Sequence, residues 1–470
     1  MSDALVDALR RALGERGVLT SPEDRARFET GWRYGKGTAR CIARPASTDE
    51  VATVLRLCDT HGARVVAQGA NTGLVAASTP DAGGAMVVLS LERLNRTIDL
   101  DAHGRTVLVD GGVLLSQLNG ALAPHGFWFP VDLGADPQIG GMVATNTGGT
   151  RLLKYGDVRH NLLGVEVVLG DGRVLTLLNT LRKNNTGLDA KHLFVGTTGV
   201  FGVVTRAVLA VAPLPKQRAT ALVGCTGGSA VLELLRTLEQ GLGDVLSAFE
   251  VMSRNAIEPV FAHQPNLRRP WPELPAYSVL VEAATTLDGE DLDLAALLEK
   301  FLGAHLERAG DQVSDVLMAR GDEFWQIRHH ISESLRSEGK MLAFDVSVPR
   351  SRLPAFTDAV ALLLQAEHPQ VRLCDYGHWG DGGTHLNLVW REAQVADSAA
   401  LVRTLQSRIY DLAVRDFAGS YSAEHGIGPH NQAFYDRYTD ANVKALCRVL
   451  GGFCDPAGRL GTVRLGGERS

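Results

Sequence analysis

Histidine and carboxylate side chains recur in two short stretches of the later chain, and their types suit metal or proton chemistry. His378-Trp-Gly-Asp-Gly-Gly-Thr-His385 sets two imidazoles with six residues between them, flanked by two expected strands. Downstream, Glu424-His425-Gly426-Ile427-Gly428 falls in a loop between expected helices. Histidine and carboxylate ligands suit zinc, manganese and related ions, and a catalytic site leaves one position open for substrate. The H-x6-H spacing is not a general metal motif, and paired loop histidines are more often surface or core residues. Upstream, Phe324-Trp325-Gln326-Ile327-Arg328 opens an expected helix, with Ser332 one turn further on the same face. An arginine there can hold a carboxylate through two parallel hydrogen bonds. Otherwise it is a solvated or salt-bridged helix residue.

Two glycine-rich segments suggest a ligand with a phosphate. The first, Gln68-Gly69-Ala70-Asn71-Thr72-Gly73-Leu74, follows an expected strand. The second is Ile139-Gly140-Gly141-Met142-Val143-Ala144-Thr145-Asn146-Thr147-Gly148-Gly149, with Tyr155-Gly156 just beyond. Small residues remove side chains, so that backbone N–H groups can approach a pyrophosphate. Neither segment is a G-x-G-x-x-G opening a first helix, and Gly31 to Gly37 fails the P-loop spacing because Gly37 follows Lys36. Taken alone, each is also compatible with a tight turn.

These residues must be carried by ordinary globular elements. The 470 residues exceed one core and predict two or three domains. An apolar fraction of 45% with 21% charged residues argues against disorder, and a net charge of −6 gives no footprint for nucleic acid. No stretch approaches the roughly 18 apolar residues of a membrane span, and the N-terminus lacks a signal-peptide core. The six cysteines show no C-x-x-C pair, cluster spacing or haem motif. Buried reduced thiols follow, and with them a cytoplasmic or other reducing compartment.

Ser47 and Glu50 have capping-box spacing ahead of Val51, Val54, Leu55 and Cys58, which predicts a helix ending at Gly62. Strands are expected at 64–68, 85–89 and 106–109, with a helix over 114–125 stopped by Gly126. Asp171-Gly172 between 165–169 and 173–177 marks a hairpin. After Pro213 and Pro215, residues 219–317 read strand, helix, strand, strand, helix, strand, a ferredoxin-like pattern. Helices then alternate with strands at 342–348, 371–376 and 385–390, and the last sixty residues read mostly as helix. The fold class is α+β.

Together the glycine segments resemble the flavin domain of the vanillyl-alcohol-oxidase family, the PCMH-type FAD domain. The likeness covers nearly the whole chain and sharpens at Pro130-Val-Asp-Leu133-Gly134, 163–169, 181–187 and 193–202. It implies a FAD-binding domain over 1–214, a substrate domain with the ferredoxin-like sheet over 215–412, and a helical segment over 413–470 completing the active site. It also implies FAD contacts from residues 68–74, from Leu133 and Gly134, from Gly140, Gly141, Ala144, Thr145, Asn146, Gly148 and Gly149, and from Tyr155 and Gly156. The first loop holds neither histidine nor cysteine, so the flavin is expected to be noncovalent.

In metal-containing relatives of this family two histidines at this spacing and the glutamate of an E-H-G pair bind the ion. Position by position these are His378, His385 and Glu424, with Zn2+ or Mn2+ as the expected metal. His425 matches the family's base, Asn387 a substrate-contacting asparagine, and Arg328 its carboxylate-binding arginine, with Ser332 where a threonine stands. The activity implied is oxidation of a D-2-hydroxy acid, most like the D-2-hydroxyglutarate branch. A D-lactate-type dehydrogenase, an oxidase of the same fold and a flavin-binding subunit without catalysis are the alternatives. Electrons must then leave to a separate acceptor (flavoprotein, quinone or cytochrome), which would leave the protein cytoplasmic or peripheral to a membrane; a homo-oligomer is compatible with the chain. Three positions depart from the pattern. Ala343 and Asn431 replace family lysines, and the C-terminal N-P-G element is eroded at Asp455-Pro456.

Overall fold

A computed structural model describes residues 3–467. The chain forms two compact units, the first from residues 3–148, 156–214 and 424–467, the second from 149–155 and 215–423.

In the first unit, helix Thr48–Thr60 begins where the capping residues place it. Ser47 Oγ accepts the Glu50 N–H at 3.2 Å, and Glu50 Oε2 reaches back to the Ala46 N–H at 2.7 Å. Its stripe of Val51, Val54, Leu55 and Cys58 is buried against helix Ala4–Leu13 and the strands behind it. Those strands run in the order Val18–Leu19, Ala39–Ala43, Met86–Ser90 and Val65–Gln68, the last three mutually parallel. A second, antiparallel sheet has the order Ile98–Asp101, Thr106–Asp110, Val203–Ala210, Leu162–Val168 and Val174–Leu177. Its last pair is the hairpin expected at Asp171-Gly172, with Gly172 at φ +80°.

The C-terminal residues return to this unit by pairing. Val65 N–H donates to Arg459 O at 2.9 Å and Gly461 N–H to Val65 O at 2.7 Å, adding a rung beside strand Val65–Gln68. Residues 413–470, expected as one helical segment, therefore divide: helices Gln432–Tyr438 and Ala441–Cys454 lie in the first unit, while residues up to Ala423 fold with the second.

The second unit is built on a seven-stranded antiparallel sheet. Its order is Val313–Met318, Gln217–Cys225, Tyr277–Thr285, Leu246–Ser253, Arg372–Gly377, Gly383–Trp390 and Lys340–Ser347. The first four strands, with helices Gly228–Leu242 and Leu294–Ala309, have the fourth–first–third–second order of a ferredoxin-like sheet. Alternation along strands puts Leu222, Leu280, Met252, Tyr376 and Cys374 on one face, where helices Arg254–His263 and Glu323–Glu338 bury them in one apolar core. The pairing register continues that face through Glu282, Glu250, His385, Asn387, Asp345 and Ala343.

Candidate active site

The face just described carries charge where an apolar core would be cheaper. Glu250 sits in Leu246–Ser253, the central strand, and is 1% exposed. Its Oε2 accepts from Arg328 Nε at 2.6 Å and its Oε1 from His378 Nδ1 at 2.6 Å. Burial pushes this carboxyl up, but the charges and hydrogen bonds of His378 and Arg328 outweigh it and hold the pKa at about 2. The Arg328 guanidinium lies 4.6 Å from the centroid of the Tyr376 ring. On the next strand, Glu282 takes two bonds from Arg151, at 2.9 and 3.0 Å, and a third from Trp325 Nε1 at 3.1 Å. Trp325 and Arg328 lie one turn apart, so two buried carboxylates clamp the start of helix Glu323–Glu338.

The second unit also brings the two histidines together. The rings of His378 and His385 have centroids 5.2 Å apart and meet edge to face, and His385 Nδ1 is 4.0 Å from Asp345 Oδ1. Asn387, buried, donates to His385 O at 3.1 Å and so braces the strand that carries His385. Ser332 is half-buried on helix Glu323–Glu338, as its spacing from Arg328 predicts. Two adjacent imidazoles, one with Nδ1 held by a buried carboxylate, have the donor chemistry that a divalent ion needs. Ala423, the last residue of this unit, donates its N–H to Asp345 O at 3.1 Å, which anchors the peptide leading into Glu424.

In the first unit, Glu424 and His425 open a loop held by its own residues. Asn431 accepts the Gly428 N–H at 2.8 Å and donates to Gly426 O at 2.9 Å. Asn431 is buried, so where the family pattern has a lysine this chain spends the position on bracing the loop. A Cβ on Gly428 would collide with Val75 O, so only glycine lets the loop close on the backbone just after the first glycine segment. His430 stacks on Tyr34 at 3.8 Å.

The first glycine segment lines a cavity of about 550 Å3 in the same unit, within the range of cofactor sites. Gly69, Ala70 and Asn71 form one wall, and Gln138, Gly112 and Trp32 stand among the others. Asn71 adopts φ +59°, with Nδ2 donating to Thr30 O at 2.8 Å. Gln68 is committed to the loop, donating to Phe28 O at 2.9 Å and Ser78 O at 2.8 Å. Thr72, Gly73 and Leu74 continue past the cavity wall, and Gly73 has open space around its Cα. Gln138 Oε1 is buried without a partner, an acceptor waiting for a hydroxyl or N–H. An open glycine-lined wall and an orphaned acceptor fit a flavin nucleotide.

The first seven residues of the second glycine segment, Ile139–Thr145, form a helix. Gly140 serves close packing, since a Cβ there would lie 2.9 Å from Val204 O and 3.0 Å from Gly111 O. Gly141 and Gly134 face open space, with Leu133 half-buried beside the latter. Ala144 O accepts the Thr198 N–H, Thr145 Oγ1 donates to Gly141 O, and Asn146 ends the helix at φ +54° while donating to Asp157. Gly148 is buried, and Gly149 and Tyr155 fold with the second unit. Gly156 has to be glycine, because a Cβ there would lie 2.7 Å from the His160 ring.

Sequence reasoning missed Glu250, Glu282, Gln138, Arg27 and Trp32. A lone carboxylate inside the apolar run Leu246–Met252 was a readable signal for Glu250, and Gln138 directly precedes Ile139-Gly140-Gly141. Arg27 and Trp32, which line the cavity, carried no local signal.

Residues 39–178 match a family described as FAD binding domain, and residues 214–463 match FAD linked oxidases, C-terminal domain. The chain belongs to this family of FAD-linked oxidases with a PCMH-type flavin domain, and it is an FAD-dependent oxidoreductase. Within the family it is similar to the mitochondrial D-2-hydroxyglutarate dehydrogenase of Bos taurus, 36% identical over 97% of this chain and 82% of that one. It is 34% identical to the D-2-hydroxyglutarate–pyruvate transhydrogenase of Saccharomyces cerevisiae, over 96% of this chain and 92% of that one. The crystal structure of p-cresol methylhydroxylase with substrate bound shares the fold, with a TM-score of 0.75 at 15% identity over 99% of this chain and 96% of that one.

One expectation is overturned by these relatives. The D-2-hydroxyglutarate dehydrogenases of Bos taurus, Rattus norvegicus and Arabidopsis thaliana are mitochondrial by name, against the cytoplasmic placement drawn from the cysteines. The thiols are indeed free and mostly buried, with burial pushing Cys41, Cys58, Cys225 and Cys374 up to about 12. Unpaired thiols report a reducing environment, and more than one compartment provides it.

Proposed function

We propose that the protein oxidises a D-2-hydroxy acid, D-2-hydroxyglutarate or a close analogue, to the 2-oxo acid, with a divalent metal at the substrate. The observation that carries this reading is the pair Arg328 and His378 held on the buried carboxylate of Glu250, with His385 beside His378. The names of the bovine and yeast relatives support the substrate class.

Arg328 binds a substrate carboxylate, its guanidinium oriented by Glu250, with Ser332 and Asn387 as hydrogen-bond partners. His378, His385 and Glu424 would hold the ion, Zn2+ or Mn2+, which would supply Lewis acidity at the substrate hydroxyl. His425 takes the hydroxyl proton as the general base. Residues 68–74 and 139–149 would hold FAD noncovalently, and the flavin would supply the two-electron acceptor for the C2 hydride, with a separate carrier as the final acceptor.

The test is an anaerobic screen of D- and L-2-hydroxy acids against the holoprotein, following loss of oxidised-flavin absorbance, with metal analysed in the same preparation. Bleaching by D-2-hydroxyglutarate and not by its L-enantiomer is expected. Bleaching by L-acids alone, or by none of the acids, rejects the reading. A D-lactate-type preference is the second reading, favoured by the neutral Ala343–Asn387 pair on the same face.

A further inference from the structure

Glu250 joins two groups that the proposed reaction uses separately. It lies in the central strand of the seven-stranded sheet, and each carboxylate oxygen serves a different element. Oε2 accepts from Arg328 Nε on helix Glu323–Glu338, and Oε1 accepts from His378 Nδ1 in the turn after strand Arg372–Gly377, both at 2.6 Å. With 1% exposure, no bulk water competes for either oxygen. We propose that Glu250 is a positioning residue that couples the substrate-carboxylate site at Arg328 to the metal site at His378, so that a change at one is felt at the other.

The coupling follows from sharing one charge between two donors. A carboxylate on Nδ1 fixes the tautomer and ring orientation of His378, directs Nε2 to an ion and raises the basicity of that nitrogen. The same carboxylate on Nε of Arg328 fixes the plane of the guanidinium and turns its outer edge toward a bound acid. In a buried site these two bonds polarise one another. When a substrate carboxylate draws on the guanidinium, Glu250 gives more of its charge to His378, and the ion is held more firmly. By linkage, a bound ion in turn favours the anionic substrate.

This inference rests on the metal reading above, so the experiment must separate the two. Zinc dissociation constants are measured by chelator competition on flavin-loaded protein, for the wild type, Arg328→Met, Glu250→Gln and the double variant, with flavin content checked in each. Glu250→Gln is expected to weaken zinc ten- to a hundredfold, as losing the outer partner of a metal histidine does. Arg328→Met, which removes no ligand, is expected to tighten zinc at least threefold in the wild-type background and to have no effect in the Glu250→Gln background. A merely structural role for Glu250, or a through-space charge effect of Arg328, would give the same Arg328→Met response in both backgrounds, and that result overturns the coupling. If the Gln variants do not fold, Arg328→Met is compared with Arg328→Lys, which keeps the charge and loses the guanidinium bond to Glu250: tighter zinc in both supports the coupling, and tighter zinc in Arg328→Met alone, or in neither, overturns it. A wild type that binds no zinc rejects the metal reading and the coupling together. A wild type that binds zinc, with a flat Arg328→Met response, rejects the coupling alone.

Discussion

Ala343 stands directly opposite Asn387 across the antiparallel strands Lys340–Ser347 and Gly383–Trp390, two residues along from the Asp345–His385 pair. Directly paired residues share a face, so a methyl group occupies the sheet surface between Asn387 and Met341 on the side that helix Glu323–Glu338 covers.

A cation at 343 would add a charge-assisted hydrogen bond to the far carboxylate of a dicarboxylic substrate. Such bonds contribute about 1.5–3 kcal/mol, a factor of roughly ten to a hundred. Ala343→Lys is therefore expected to lower the KM for D-2-hydroxyglutarate by that factor while leaving D-lactate nearly unchanged. Equal changes for both substrates in steady-state kinetics would show that residue 343 does not face the distal group.

Removing the metal should separate turnover from flavin binding, because the proposed ligands and the glycine segments are different residues. Extended dialysis against a strong chelator is expected to abolish 2-hydroxy acid oxidation while the protein stays yellow, with activity restored by zinc or manganese. Full activity in a sample shown to be metal-free by elemental analysis rules the metal mechanism out.

The flavin should come away intact. Residues 69–73 offer Gly69, Ala70, Asn71, Thr72 and Gly73, none of which can form a covalent link to the ring. Acid or heat denaturation is expected to release all of the FAD into the supernatant. Flavin fluorescence that travels with the denatured chain on a gel would contradict this.

Asp375 is a neighbour of Tyr376 on its strand and so faces the other side of the sheet, where burial pushes its carboxyl up to about 6 and leaves Oδ2 without a partner. A carboxyl with a folded-state pKa above its unfolded value of 3.8 costs nothing at acid pH. The cost grows as pH rises from about 4 to 6 and is then constant. Two units correspond to roughly 2–3 kcal/mol. Asp375→Asn is thus expected to raise unfolding free energy by about that much at pH 8, with the gain shrinking steadily below pH 6. Denaturant titrations that give a pH-independent difference would place the effect elsewhere.

Much of the local structure was legible because it depends on short-range chemistry. Ser47 and Glu50 marked a helix start, Asp171-Gly172 a hairpin, and the strand–helix alternation after Pro215 the ferredoxin-like sheet. Gly140 was legible as glycine but not in its purpose, since only the approach of Val204 O and Gly111 O shows that it packs a helix on a sheet. The E-H-G loop was visible as a motif. That Asn431 closes it depends on hydrogen bonds whose partners are chosen by the path of the loop.

By itself the sequence determined the FAD-linked family and the periodic elements, and marked candidate site residues for test, because spacing and side-chain type act over a few residues. Tertiary structure alone decided that Glu250, 78 residues before Arg328 and 128 before His378, would share its carboxylate between them. Strand order and register make that meeting. Pairing Leu246–Ser253 beside Arg372–Gly377, under helix Glu323–Glu338, excludes water from one carboxylate and leaves a guanidinium and an imidazole as its partners. No local pattern encodes such a contact, because its energy comes from desolvation that exists only once the sheet and helix have closed.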